Sequence, residues 1–445
     1  MNNLREGKVR FFPIFSIATF IAISGISEVL IDETVIGNLL DDVAFGAFNV
    51  LEPYQWVVAL LCYLFTVGAT ALIVRALGGG DKERASRVFS HAITSCLGIG
   101  FLLCLAYALF GSQMASLVAR DSELLDYSLI VLEVQKYTVI VVPLEVFLAS
   151  CVLYLGGVVW SGLGTVIYMV SNISLSVLLG KRMGIFGIAF ATLIANVIVI
   201  CFYLMYFIKK DNRLRFRPCF DFSLAKKIFG MGMGESTFFI AVILSQATIN
   251  AVALKNFGAQ GVAAISIPLD LFFAVAIVSE GISEYEAVSL NTYIGQKNQS
   301  RFDYSIRKTV LAALIEGAVF TLICLFAAPA FPDLFGIDSP ETVDIVTDCI
   351  RVVAIAPIFV CFVRIISVFY QYTGRIWRSA FGFMFSIGIF PAVFNYILGP
   401  VSLPLGALGI AFGPVVALFL LVIYVRFIKK EKLLQLSLKE IERRG

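Results

Sequence analysis

The sequence predicts an all-α membrane protein: twelve transmembrane helices in two pseudo-twofold-related six-helix bundles around a central cavity. Three observations predict it. Of the 445 residues, 59% are apolar and only 15% are charged, enough to supply the roughly 240 apolar residues that twelve spans of about 20 need to cross about 30 Å of hydrocarbon. Lys and Arg are sorted into alternate connections, and motifs of the first half recur in the second.

Apolar stretches broken by polar or glycine-rich turns fall near residues 11–37, 44–77, 88–111, 127–154, 157–180, 185–208, 227–255, 261–290, 307–331, 346–373, 377–399 and 404–428. The first follows Arg5, Lys8 and Arg10 as a signal peptide would, but it is long, carries Glu28 and Asp32, and lacks a small-x-small cleavage site. It therefore reads as the first span. The second contains Pro53 and ends at Gly78-Gly79-Gly80-Asp81, the fourth is interrupted by Pro143, and the fifth and sixth are joined through Lys181 and Arg182. A basic linker precedes the seventh, the eighth carries several acids, and the ninth is followed by the acidic connection of Asp333, Asp338, Glu341, Asp344 and Asp348. Pro357 and Arg364 lie in the tenth, Pro391 lies in the eleventh, and the twelfth closes on Lys429 and Lys430. Several stretches exceed the thickness of a bilayer, which predicts tilt or kinks, and Pro13, Pro143, Pro357 and Pro391 mark where kinks are expected.

With the amino terminus placed in the cytoplasm, 27 of the 34 Lys and Arg fall in inside segments. Outside connections hold only Arg120, Lys181, Arg182 and Lys255. This asymmetry predicts a multi-pass plasma-membrane protein with both termini cytoplasmic. The expected organisation is an amino-terminal bundle (1–208), a cytoplasmic basic linker (209–226), a carboxyl-terminal bundle (227–428) and a charged tail (429–445).

Duplication is visible in the halves themselves. Gly184-Ile-Phe-Gly187-Ile-Ala-Phe190 matches Gly406-Ala-Leu-Gly409-Ile-Ala-Phe412, and Phe207-Ile-Lys-Lys210 matches Phe427-Ile-Lys-Lys430. Pro53 pairs with Pro268 and Pro143 with Pro357. Six spans per repeat give both halves the same orientation, so the symmetry axis follows the membrane normal and rocking exposes the cavity to each side in turn. That is the architecture of a secondary transporter. No connection is long or hydrophilic enough for a soluble domain, and the Gly-rich loop lacks P-loop spacing, so an ion gradient rather than ATP is expected to supply the energy. A channel would need a repeated pore loop of backbone carbonyls, and the sequence has none.

The same residues exclude other classes. A net charge of +3 without a basic stripe predicts no nucleic-acid binding. Nine scattered cysteines with no C-x-x-C pair read as small buried residues, and the single His91 reads as a loop-edge residue. No enzyme chemistry, cofactor or metal is expected, beyond a possible sodium ion at Asp32. The partners expected are a small organic substrate and the lipid bilayer, with the chain acting as a monomer.

Ionisable groups within spans are costly and point to function. Glu28 and Asp32 lie one turn apart on one helix face. Two carboxylates so placed favour holding a proton between them, and could equally bind sodium. In the eighth span Asp270, Glu280 and Glu284 fall within an arc of about 80° while Glu286 points elsewhere. Asp270 and Glu280 are the deeper of the three by sequence position. Glu235, near the start of the seventh span, and Arg364 in the tenth complete the substrate-cavity candidates. A few of the 40 phenylalanines would suit flat lipophilic cations through cation–π contact.

The run Asp32-Glu33-Thr34-Val35-Ile36-Gly37-Asn38, followed by Pro53 and by Leu77-Gly-Gly-Gly-Asp81-Lys-Glu-Arg-Ala85, resembles the multidrug and toxic compound extrusion (MATE) family over essentially the whole chain. In that resemblance Asp32 takes the place of the cation-linked first-span aspartate. Asn172 in Ser171-Asn-Ile-Ser-Leu-Ser176 matches the fifth-span asparagine, and Thr192 matches the sixth-span threonine. Ser176 stands where the family often has an aspartate, and Glu28 is placed to restore that charge. The resemblance implies an antiporter that exports organic, amphiphilic and often cationic compounds in exchange for H⁺ or Na⁺ by alternating access. The same superfamily contains lipid-linked oligosaccharide flippases, the alternative reading, for which a cavity rich in Arg and Lys is expected.

Overall fold

The protein is described from a computed structural model covering residues 9–40, 44, 47–48, 51–118, 122–208, 214–334 and 340–427. Within these, the side chains of 25–34, 37–38, 52, 118, 122, 259–260, 262–263, 333–334, 341 and 423–427 are outside the description. The helices are α1 (Phe11–Leu39), α2 (Glu52–Gly78), α3 (Lys82–Val118), α4 (Ser122–Tyr154), α5 (Val158–Ile208), α6 (Phe222–Val278) and α7 (Glu280–Gly295). There follow α8 (Gln299–Phe326), α9 (Ala330–Leu334), α10 (Pro340–Val353), α11 (Ala356–Tyr372), α12 (Ile376–Phe383), α13 (Phe390–Leu398) and α14 (Leu403–Phe427).

Among the described residues nine helices are long and apolar enough to cross a bilayer, and α10 with α11, bent by 43°, make a tenth span. The 51 residues of α5 would measure about 76 Å in a straight line, far more than one crossing needs. The helix instead turns at Gly184, whose φ of +61° is open to glycine and costly for other residues, so α5 supplies two passes. With α1, 29 residues long, the twelve expected passes are accounted for.

Two compact units divide the chain, Met1–Gly232 and Met233–Gly445. In the first, α3 packs on α2 and α4, α4 on α5, and α1 on α5. The second repeats the order, with α8 on α7 and α11, and α11 on α12 and α14. The likeness extends to single hydrogen bonds. After α2, the amides of Gly79, Gly80 and Asp81 donate to the carbonyls of Arg75, Leu77 and Ala76. After α7, those of Gln296, Lys297 and Asn298 donate to Thr292, Ile294 and Tyr293, each pair 217 positions on. Asp81 Oδ1 then caps α3 by accepting from Arg84 N at 2.9 Å, and Asn298 Oδ1 caps α8 from Arg301 N at 3.1 Å. Tight helix crossings recur as well: a Cβ on Gly100 would lie 2.5 Å from the Ile140 carbonyl O, and one on Gly317 would lie 2.5 Å from Ile358 Cα.

The interruptions expected at Pro357 and Pro391 are present, and one expectation, at His91, is corrected. The tenth span bends by 43° between Val353 and Ala356, ahead of Pro357. In the eleventh, Met384–Ile389 winds as a π turn between α12 and α13. Pro391, in the first turn of α13, has no N–H to give to the preceding turn, which the wider winding accommodates. His91 is not at a loop edge: it is fully buried within α3. The segment 214–221 lies along that face of α3, with Arg215 N donating to Ser86 Oγ (3.2 Å), Arg217 N to Ser90 Oγ (2.9 Å) and Asp221 N to His91 Nδ1 (3.3 Å). Asp221 then caps α6 by accepting from Ser223 N and Leu224 N.

Candidate ion-coupling sites

In the first unit, α1 runs alongside the first arm of α5. A Cβ on Gly162 would press on Ile17, and one on Gly180 would touch Leu39. The two helices are therefore parallel, and residue 32 of α1 stands at the level of the Asn172–Ser176 turn. The side chains of Glu28 and Asp32 lie outside the described residues. The partners at that level are described. Asn172 and Ser176 are buried, and the Oδ1 of Asn172 accepts from Ser176 Oγ at 3.4 Å and from Thr192 Oγ1 at 3.3 Å across the Gly184 bend. The bend thus folds the sixth span back so that Thr192 meets Asn172. Asn196, buried and not singled out from sequence, donates Nδ2 to the Thr192 carbonyl at 2.8 Å. Its signal was available as the buried-face polar residue one turn beyond Thr192.

The second unit gathers charge. Glu235 and Arg364 have side chains only 8% and 5% exposed, and Arg364 Nη2 donates to Glu235 Oε1 at 3.1 Å. Arg364 Nε donates to Ser283 Oγ at 3.0 Å and Nη1 to the Ala276 carbonyl at 3.0 Å, while Glu280 Oε2 stands 4.0 Å from Nη2. The Phe238 ring lies 5.2 Å from the guanidinium carbon, a cation–π contact. Gly234 makes this meeting possible: a Cβ there would stand 2.5 Å from Gln371 Oε1 and from Ser379 Oγ, so α6 comes close to α11 and α12. A small cavity beside the guanidinium is lined by Phe238, Ala276, Val363, Phe383 and Ser386. The π turn lends it Ser386.

The structure thus brings Glu235, Glu280 and Arg364 together. Because α6 begins at Phe222, Glu235 lies 13 residues in, nearly 20 Å along the helix, rather than near its start. Along the eighth span Asp270 is exposed, Glu280 and Glu284 are half-buried, and Glu286, off the projected stripe, is the fully buried acid. The helix runs on through Ser279, whose N donates to the Val275 carbonyl (3.0 Å) and whose carbonyl accepts from Ser283 N (3.2 Å), so Ala264–Gly295 is one continuous span. Glu316 of α8 was not singled out from sequence, and its Oε1 stands 2.9 Å from Ser279 Oγ. The rule that flagged the other acids, an ionisable group inside a span, applies equally to it. Among the described residues no group of three or more His, Cys, Asp or Glu could hold a metal ion.

A family model described as MatE matches residues 16–181 and 237–397. Among curated relatives, the multidrug export protein MepA of Staphylococcus haemolyticus is 26% identical over 330 residues, 71% of each chain. MepA of Staphylococcus aureus is 25% identical over 305 residues, 66% of this chain and 64% of the relative. Among solved structures, an outward-facing multidrug resistance MATE family transporter of the MOP superfamily aligns with a TM-score of 0.85 at 18% identity, over 95% of this chain and 96% of the other. A MATE structure in the bent conformation gives 0.84 at 19% identity, over 97% and 95%. A MOP superfamily transporter from Pyrococcus furiosus, described as having a binding pocket of reverse polarity that suggests a different function, gives 0.83 at 18% identity, over 93% and 95%.

Proposed function

The chain belongs to the MatE family of membrane transporters, and on that premise we propose that it is a secondary active exporter. It moves organic, amphiphilic and cationic compounds out of the cell in exchange for H⁺ or Na⁺ by alternating access, as a monomer in the plasma membrane with both termini cytoplasmic. The observation that carries this reading is the dry ion pair of Glu235 and Arg364. Burying such a pair costs more than burying apolar residues of equal size, so it is retained for something other than stability. One guanidinium faces Glu235 and Glu280, so the surplus acid is relieved by a proton or a cation. In the first unit the Asn172, Ser176 and Thr192 oxygens serve the same end at the level of Asp32, where a proton or sodium ion can be held. Ion and substrate then favour different states of the transporter, which couples one flux to the other.

A lipid-linked oligosaccharide flippase would need cationic side chains free to meet pyrophosphate. Arg364, the basic residue deepest in the spans, is committed to Glu235, Ser283 and the Ala276 carbonyl, so that reading has no support from this site.

The test is transport of ethidium in proteoliposomes under a pH gradient and, separately, a sodium gradient, with Asp32→Asn alongside. The expected outcome is uptake driven by one gradient and lost in the variant. Undiminished gradient-driven transport by Asp32→Asn would remove Asp32 from the coupling site, and no transport under either gradient would overturn the exporter.

A further inference from the structure

Ser279 lies within the eighth span, and its buried hydroxyl has one proton to give. Three atoms stand within bonding distance of Oγ: the Val275 carbonyl O at 2.8 Å, Glu316 Oε1 of α8 at 2.9 Å, and Cys361 Sγ of α11 at 3.2 Å. A carbonyl only accepts, and an ionised carboxylate only accepts. If Glu316 were ionised, the two oxygens would compete for a single serine proton. If Glu316 is protonated, the acid donates to Ser279 Oγ, the serine donates to Val275, and both contacts are made.

The other carboxyl oxygen agrees. Glu316 Oε2 is buried with no hydrogen-bond partner among the described residues. As the carbonyl oxygen of a neutral acid it is much cheaper to leave unpaired than as half of an ionised carboxylate. The charge of Arg364 is shared among several acids: it bonds Glu235, stands 4.0 Å from Glu280 and makes no hydrogen bond to Glu316.

We propose that Glu316 carries a proton in this structure and is a coupling residue of the second unit, its charge read by the Ser279 hydroxyl. This rests on the exporter reading and deepens it by naming a proton carrier. On deprotonation the carboxyl O–H bond breaks and its proton leaves to water. The Ser279 O–H then turns from Val275 to Glu316 Oε1. The Val275 carbonyl keeps the backbone bond from Ser279 N at 3.0 Å, so the exchange strands no acceptor. It does alter a side-chain-to-backbone bond inside the eighth span, and serine back-bonding of this kind bends helices. The groups that bear on Glu316 are Cys361 and Arg364 from α11, and Glu280, which adjoins Ser279 at the start of α7. Near the end of α10, Asp348 and Arg351 pair with each other at the surface, and the thiol of Cys349 is buried.

Two measurements on the full-length protein decide this. A pH-jump infrared difference spectrum is expected to show a protonated-carboxyl band that disappears as pH rises and is absent in Glu316→Gln. In proteoliposomes, pH-driven ethidium transport is expected to fall about tenfold or more in Glu316→Gln and to lose its pH dependence, while Glu316→Asp keeps transport with a displaced pH profile. The band persisting in Glu316→Gln, or wild-type transport and pH profile in that variant, would overturn the proposal. If Glu316→Gln does not fold, an unshifted profile in Glu316→Asp overturns it instead. Should the wild type fail to move ethidium under any gradient, the exporter reading falls while the infrared band still decides Glu316.

Discussion

Arg364 is the residue on which the second unit's polar interior turns, because every arm of its guanidinium is used: Glu235, Ser283 and the Ala276 carbonyl take its protons. Replacing it by methionine removes the cation and leaves Glu235 buried without compensation, a loss of about 3 kcal/mol or more. We expect Arg364→Met to lower the thermal melting point in detergent, and the double variant Arg364→Met/Glu235→Met to recover most of it. A double variant as unstable as the single one would mean that Arg364 does not compensate Glu235. Arg364 and Glu235 were both legible as ionisable residues inside apolar runs. Their pairing was not, since the two are 129 positions apart and nothing local in either segment names the other. Glu316, in Ala313-Leu-Ile-Glu316-Gly-Ala, was legible by the same rule, but its partner Ser279 lies 37 positions away and nothing local names it. Asn172 and Thr192 could be matched by resemblance, but their contact needs the bend at Gly184, which sequence marks only as one glycine among many.

At the scale of elements, apolar length located the spans well because a bilayer imposes it. Length alone does not locate breaks within them: the bend between Val353 and Ala356 leaves the apolar run intact and is marked in the sequence only by Pro357. Pro391 marked a kink without saying that the helix would widen into a π turn. Close crossings are a further feature that only the folded chain reveals. Gly100 and Gly317 occupy matching places, each against the backbone of the neighbouring fourth or tenth span. An added methyl at either must push two helices apart, which typically costs about 1–3 kcal/mol. Gly100→Ala and Gly317→Ala are therefore expected to lower the melting point by similar amounts, and a large effect at one with none at the other would contradict the equivalence of the two units.

For the molecule as a whole, charge is informative where hydrophobicity is not. Fifty-nine per cent apolar composition places the chain in a membrane, but the distribution of basic residues sets its expected orientation. Seven Lys and Arg lie between 209 and 227, in the connection between the halves. Trypsin added to inside-out vesicles is expected to cut there and yield two fragments of similar size. Cleavage in right-side-out vesicles instead would reverse the orientation. The repeat itself was visible in matching motifs, while its depth, down to individual amide bonds after α2 and α7, belongs to the folded chain.

The segment laid along α3 has a consequence for spectroscopy. Asp221 N donates to His91 Nδ1, so that nitrogen is bare and the ring proton sits on Nε2, facing Ser95 Oγ at 3.4 Å. The chain contains a single histidine. A sample enriched with ¹⁵N in histidine alone would give one pair of ring-nitrogen resonances, whose chemical shifts distinguish the two tautomers. Attachment of the interlobe segment could then be followed in the intact transporter, with no chemical probe attached and no competing ring signal.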